Sequence, residues 1–205
     1  GHTFIRPWNV VVFGAPIEIG DYVNVIASRD RKVRLTVWSD REDPAGIRIG
    51  QYCLMCPGVR LSAATEIVVE DNVMFAYGAY VTDSDWHGIY DRVAIVGKSA
   101  PVHIENNAWI GDSVIVCKGV TIGENSVIGA GSVVTSSIPA NTIAAGSPAR
   151  VIRPLDEDRK IKTRAEWYAN PAELFEEIDR IDREKLGGNT YLDWMRSSFF
   201  PRRGD

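Results

Sequence analysis

Cysteine is scarce in this chain: Cys53, Cys56 and Cys117 are the only three among 205 residues. An odd count closes no disulfide framework, and three thiols fall short of a four-ligand zinc site. That usage leads us to expect a reducing, cytoplasmic setting. Histidine is equally scarce. Of three, His2 belongs to an opening Gly1-His2 that reads as an expression remnant, leaving His87 and His103. A dominant charge sign is also missing, since 23 Lys+Arg against 27 Asp+Glu leaves a formal −4. That balance excludes nucleic-acid binding by bulk electrostatics and leaves room for a local basic patch. No apolar run reaches the ~18 residues of a membrane span. The opening residues lack the basic head and apolar stretch of a secretory leader. Hydrophobic residues, at 45%, are plentiful enough for a substantial core.

What the chain does have is a six-residue period. From Ile104 it reads IENNAW, IGDSVI, VCKGVT, IGENSV, IGAGSV, VTSSIP, which puts an aliphatic residue at 104, 110, 116, 122, 128 and 134. Three positions after each comes Asn, Ser or Gly, followed by a small or aliphatic residue (Ala108, Val114, Val120, Ser126, Ser132). Neither the helical period of 3.6 nor the strand period of 2 produces this spacing. The phase recurs upstream at Phe13, Ile19 and Val25, at Ile49, Met55 and Leu61, and at Val69, Phe75 and Val81. The charged stretch Ser28 to Gly46 reads as an interrupting loop, and a longer excursion separates Val81 from Ile104. These hexads predict a parallel β-helix in which three hexads make one triangular coil and the aliphatic residues stack inward. Gly111, Gly123 and Gly129 are expected to supply unusual backbone angles at the corners. The period does not fix the handedness.

After Pro154 the hexads stop. In PAELFEEIDRIDREKLGG, Pro171 is a helix-start signal, Leu174, Phe175, Ile178 and Ile181 form an apolar face, and Gly187 is a stop. One or two helices are expected there, packing on the β-helix or on a neighbouring subunit. The final YLDWMRSSFFPRRGD is aromatic and basic. The expected layout is an N-terminal segment over 1–12, a β-helix over 13–155 with an excursion loop over 82–101, and a helical extension over 156–205.

The run WIGDSVIVCKGVTIGENSVIGAGSVVTSSIPANTIAAGSPARVIRPL resembles the hexapeptide-repeat acyltransferases, in particular their galactoside, maltose and xenobiotic O-acetyltransferase branch. The resemblance is strong over 102–155 and partial over 47–88. It implies an all-β fold, a left-handed parallel β-helix with a small C-terminal helical extension, assembled as a homotrimer. It also implies acetyl-CoA bound between adjacent subunits, with the acetyl group passed to a hydroxyl or amine. The family's base is a histidine about twenty residues ahead of the WIG motif, a place that His87 fills here. Imidazole suits that step, because a hydroxyl must lose its proton as it attacks a thioester near neutral pH. Asp83, Asp85 and Asp91 are candidates to orient the ring.

Carried over position by position, the resemblance assigns donor contacts to Trp109, Asp112, Ala130, Thr135, Ser136, Arg150 and Arg153. Two guanidinium forks match the phosphates of CoA. Ser136 stands where the family has Lys, so that phosphate contact is expected to be weaker or to come from Lys118 or the tail. The family's acceptor-side Asn falls near Cys56. Trp86 and Tyr90 either stack on a sugar face or pin the loop, and Asp83 and Asp85 are candidates to accept sugar hydroxyls. A small-molecule or saccharide acceptor follows, without nucleic acid, membrane span or metal.

Two other functions fit the same scaffold. A carbonic-anhydrase-like metalloenzyme needs three histidines around one metal, and His87 with His103 supply two. Cys53 and Cys56 lie three apart on the lattice and are expected to face different sides. A non-enzymatic trimeric scaffold would need neither a histidine in a long excursion nor an arginine pair beyond the last coil.

Overall fold

A computed structural model describes residues 2–39, 44–187 and 190–200, in two compact units, 1–164 and 165–205. The first unit is a parallel β-helix built on three sheets of eight, six and five strands. Face A carries Thr3–Ile5, Asn24–Ile26, Leu54–Met55, Met74–Phe75, Trp109–Ile110, Val127–Ile128, Thr142–Gly146 and Ala149–Pro154. Face B carries Val10–Phe13, Val33–Val37, Arg60–Ala63, Tyr80–Thr82, Ile115–Val116 and Val133–Val134. Face C carries Ile17–Ile19, Gly46–Ile49, Glu66–Val69, Val102–Ile104 and Thr121–Ile122, with a last bridge at Ile138. The chain circulates B to C to A, and each coil pairs with the next in parallel. The exception is the closing hairpin, where Ala149–Pro154 runs antiparallel to Thr142–Gly146.

The hexad pattern maps directly onto the core. Ile104, Ile110, Val116, Ile122, Ile128 and Val134 are all fully buried, and Ile110 lies in register with Phe75 and Ile128 on adjacent coils. Each such side chain contributes about 1.5–3 kcal/mol by leaving water. The smaller partner also points inward: Ala108, Val114, Ser126 and Ser132 are buried. The two serine hydroxyls donate to the Pro139 and Gly129 carbonyls at 2.7 and 2.6 Å.

The corners correct one expectation. Left-handed backbone sits three residues after the inward aliphatic, at Asn107 (φ 57°), Ser113 (φ 55°), Gly119 (φ 71°), Asn125 (φ 58°) and Gly131 (φ 69°), and not at Gly111, Gly123 or Gly129. Those three glycines serve close approach instead. A Cβ on Gly111 would lie 2.4 Å from the Ile128 carbonyl oxygen, and one on Gly123 would lie 2.3 Å from the Ala140 nitrogen. Asparagine tolerates the left-handed region, and the edge between faces C and A exploits it. Asn107 Nδ2 donates to Asn125 Oδ1 at 2.9 Å, and Asn125 Nδ2 donates to Asn141 Oδ1 at 2.8 Å. At the N-terminal end of this edge Tyr22 and Tyr52 stack with ring centroids 5.2 Å apart. Arg164 Nε ties the end of the unit to the Tyr52 carbonyl at 2.7 Å.

The boundaries also shift. Thr3–Ile5 and Val10–Phe13 already pair with the stack, so the β-helix begins ahead of residue 13. Phe13, expected inward, is 49% exposed and packs against Trp38 at 4.3 Å between centroids. The segment Ser28 to Gly46 is not one loop. It contains the strand Val33–Val37, in which Leu35 is buried and in register with Leu61. Its alternation was hidden by the flanking Arg29, Arg31, Lys32 and Arg34. In the second unit Pro171–Leu186 and Tyr191–Phe199 are helical, with Gly187 as the first C-cap. Leu174 is buried and Ile181 is exposed, whereas the side chains of Phe175 and Ile178 lie outside the described set. No helix among the described residues is long and apolar enough to cross a membrane.

Candidate active site

The longest departure from the stack leaves face B after Tyr80–Thr82 and rejoins face C at Val102–Ile104. Its base is closed like a hairpin: Ala100 N donates to the Asp83 carbonyl at 2.9 Å and Asp85 N to the Lys98 carbonyl at 3.0 Å. His87 lies on this loop, exposed to solvent. Its Nδ1 is 2.9 Å from the Ala94 carbonyl oxygen. A carbonyl can only accept, so Nδ1 carries the hydrogen and Nε2 keeps its lone pair free. Gly97 lets the strands of the loop approach, since a Cβ there would fall 2.3 Å from the His87 carbonyl oxygen.

The three carboxylates expected around His87 divide differently. Asp83 is fully buried and is not available to an imidazole or a sugar. Its oxygens accept from Ala64 N at 2.7 Å, Thr65 N at 2.6 Å, Thr65 Oγ1 at 2.8 Å and Glu66 N at 2.7 Å, which clamps the preceding corner to the root of the loop. Asp85 is ion-paired with Lys118. Asp91 Oδ1 accepts from Val93 N and Ala94 N, both at 3.3 Å, and so shapes the turn whose carbonyl holds His87. His87 is therefore oriented by backbone. Nothing in the residue pattern signals this, because a carbonyl acceptor leaves no residue-type signature.

Trp86 and Tyr90 part company as well. Trp86 Nε1 donates to Thr82 Oγ1 at 2.9 Å and to the Tyr80 hydroxyl at 3.3 Å, so it pins the loop to face B. Tyr90 is 100% exposed at the tip, beside exposed Ile89, Val93 and Ile95.

The donor candidates sort onto face A and the two edges that flank face B. Asp112 lies on the edge between faces A and B, where its carbonyl accepts from Gly131 N at 2.7 Å, next to exposed Ala130. Arg150 joins this line through its register with Ala145. Arg153, in register with Ile143, and half-exposed Trp109 project from face A. Thr135 and Ser136 lie on the opposite edge, between faces B and C, as does the His87 loop. Asp112 Oδ1 accepts from the Ser113 hydroxyl at 2.6 Å, and Arg150 Nη1 donates to the Ala149 carbonyl at 2.7 Å. The candidates of one chain thus fall on face A and on two separate edges.

The cysteines do not converge. Cys53 is buried in the core and donates to the Glu70 carbonyl at 3.1 Å, and burial pushes its thiol up to about 12. Cys56 sits half-buried at the A–B corner and Cys117 at the B–C corner, both thiols also raised by burial. His103 Nε2 is held by Glu70 Oε1 at 2.8 Å on face C, in the strand where the His87 loop rejoins the stack. Among the described residues no three His, Cys, Asp or Glu side chains are grouped to hold a metal.

The bacterial transferase hexapeptide signature of six repeats matches residues 101–136, the stretch in which every inward position is filled. That stretch is similar to the hexapeptide-repeat family. The chain is 44% identical over 96 residues to the galactoside O-acetyltransferase of Escherichia coli, covering 46% of this chain and 47% of that protein. It therefore spans about half the length of that curated relative. A hexapeptide-repeat acetyltransferase from Vibrio cholerae superimposes with a TM-score of 0.51 at 26% identity, over 67% of this chain and 73% of that one. An N-acyltransferase from Bacillus cereus, solved with dTDP and 3-hydroxybutyryl-CoA, shares the fold at a TM-score of 0.52 and 18% identity. That match covers 87% of this chain and 91% of that one. The helix winds left-handed, the sense expected from the resemblance and opposite to the usual parallel crossover.

Proposed function

We propose that this protein is an acetyl-CoA-dependent O-acetyltransferase that acts on a saccharide hydroxyl, with His87 as general base. The observation that carries the reading is the His87–Ala94 hydrogen bond, which makes Nε2 the free nitrogen of the neutral ring on an exposed loop of a hexapeptide-repeat fold. Nε2 takes the proton of the acceptor hydroxyl while the oxygen attacks the thioester carbonyl. The C–S bond then breaks, and the imidazolium returns its proton to the departing thiolate, giving an acetyl ester and free CoA. No covalent enzyme intermediate enters, and Cys117 has no part in the chemistry, since burial holds its thiol protonated. A backbone N–H along the Asp112–Gly131 edge is the candidate donor to the thioester oxyanion.

The division onto two edges supports a homotrimer. Asp112, Ala130 and Arg150 lie on one edge of face B, and Thr135, Ser136 and His87 lie on the other. Three copies around an axis would set the first edge of each chain against the second edge of its neighbour. Acetyl-CoA would then lie between chains, with Arg150 and Arg153 toward its phosphates. A free-thiol release screen with acetyl-CoA against sugars, sugar phosphates and amines tests the reading. Sugar-dependent thiol release supports it, and release with amines alone, or with no acceptor in the panel, overturns it.

A further inference from the structure

The edge between faces A and B carries a second feature, N-terminal to Asp112. Arg29, Arg31, Lys32, Arg34 and Arg60 ring a cavity of about 370 Å³, with Asp30 as the sole carboxylate in its lining. This concentration of positive charge stands on a chain whose formal net charge is −4. Gly58 and Gly78, with φ of 83° and 69°, form its floor and leave it open. Arg34 and Arg60 occupy directly facing positions on adjacent strands of face B. Strands lie ~4.8 Å apart, so the two side chains start from neighbouring positions, and an anion between them would relieve their like-charge repulsion. No carboxylate pairs with either guanidinium among the described residues. A site of this size accommodates a sugar-sized ligand.

The same ladder leads to the loop that carries His87. Tyr80 is next in register after Arg60, whose guanidinium lies over the tyrosine ring at 4.1 Å. The Tyr80 hydroxyl accepts from Trp86 Nε1, and Trp86 precedes His87. Along the edge itself the coils that line the cavity are followed by the one that carries Ser113 and Asp112. A Cβ on Gly58 would meet Gly78 Cα at 3.3 Å, and one on Gly78 would meet Ser113 Oγ at 3.5 Å, beside Asp112.

We propose that this cavity is an anion subsite on the acceptor side: it holds the carboxylate or phosphate of an acidic saccharide. The Arg34–Arg60 pair bridges that anionic group, while a hydroxyl of the same sugar is offered to the base. The proposal rests on the acyl-transfer reading for what happens next, but binding itself does not require catalysis.

Calorimetric titration of the full chain separates the two. The probes are galactose, galacturonate, galactose 1-phosphate, inorganic phosphate and CoA. Galacturonate or galactose 1-phosphate is expected to bind at least about tenfold more tightly than galactose, the factor set by one charge-assisted hydrogen bond. Arg34→Gln and Arg60→Gln, both at exposed positions, should each cut that affinity by about tenfold and leave CoA binding as in the unaltered protein. The proposal is overturned if galactose binds as well as its acidic counterparts, if no sugar binds, or if the variants bind like the parent. Inorganic phosphate binding as tightly as galactose 1-phosphate would show anion capture without sugar recognition and reject it. Loss of CoA affinity in the variants would reassign the cavity to the donor. Acidic sugars that bind but are never acetylated would leave the subsite standing and reject the acyl-transfer reading instead.

Discussion

His87 Nδ1 and the carbonyl oxygen of Ala94 are 2.9 Å apart, and this contact sets the ring's tautomer without help from any carboxylate. The orientation of the imidazole therefore depends on the path of the loop backbone. Gly97 is the residue that permits that path, because any Cβ there overlaps the His87 carbonyl. Gly97→Ala is expected to lower acetyl transfer by about tenfold or more, since displacement of a catalytic group by about 1 Å can cost a hundredfold. The core does not include the loop, so the thermal midpoint should move little. Steady-state rates read beside a thermal melt check this.

Asp83 is expected to behave as a structural residue. Asp83→Ala strands the amides of Ala64, Thr65 and Glu66 in a buried corner. Each unsatisfied donor costs about 1–3 kcal/mol. The variant should lose about 3 kcal/mol or more in urea denaturation, and Asp83→Asn, which keeps the shape, should lose less.

The asparagine ladder separates a hydrogen-bond effect from a backbone effect. Asn125→Ala removes both of its side-chain partners and puts a Cβ residue without local compensation at φ 58°. A loss of about 2 kcal/mol is expected, from about 1 kcal/mol of hydrogen bonding and about 1 kcal/mol of backbone strain. Asn125→Gly should recover the strain component, and the urea midpoints of the two variants check the difference.

Much of this architecture was legible because the repeat is dense where the coils are regular. Ile104 to Val134 carry an unbroken phase, and each of those residues is buried. Val33–Val37 was missed because its inward residues sit among arginines and a lysine that belong to the outer surface. The site was half legible. The place of His87 on the excursion loop could be read from the residues, but the fate of Asp83 could not, because a carboxylate capping backbone amides looks the same in sequence as one facing a ligand. The basic cavity was equally hidden. Its members come from three successive coils, at 29–34, 58–60 and 78, and only the register of face B brings them together.

Cysteine reactivity offers a check on the core that is independent of catalysis. A thiol with a pKa pushed up to about 12 holds only about one part in ten thousand as thiolate at pH 8, and the thiolate is the reactive form. Cys53 should be alkylated last by iodoacetamide in the folded protein, after Cys56 and Cys117. Its rate should climb with pH throughout the range from 8 to 10, where an ordinary thiol levels off as it passes its pKa. Peptide mass spectrometry after timed labelling resolves the three sites. Equal labelling of all three would contradict the packing assigned to Cys53.

The central claim, that His87 removes the acceptor proton, is tested most directly by acetyl-CoA turnover of His87→Ala against an acceptor found active in the thiol-release screen. Calorimetry of CoA binding on the same sample accompanies the rate. Turnover reduced on the order of 10²-fold or more, with CoA affinity and the thermal midpoint retained, is the predicted result. Turnover within a few fold of the parent, on a protein that still binds CoA, would contradict the assignment.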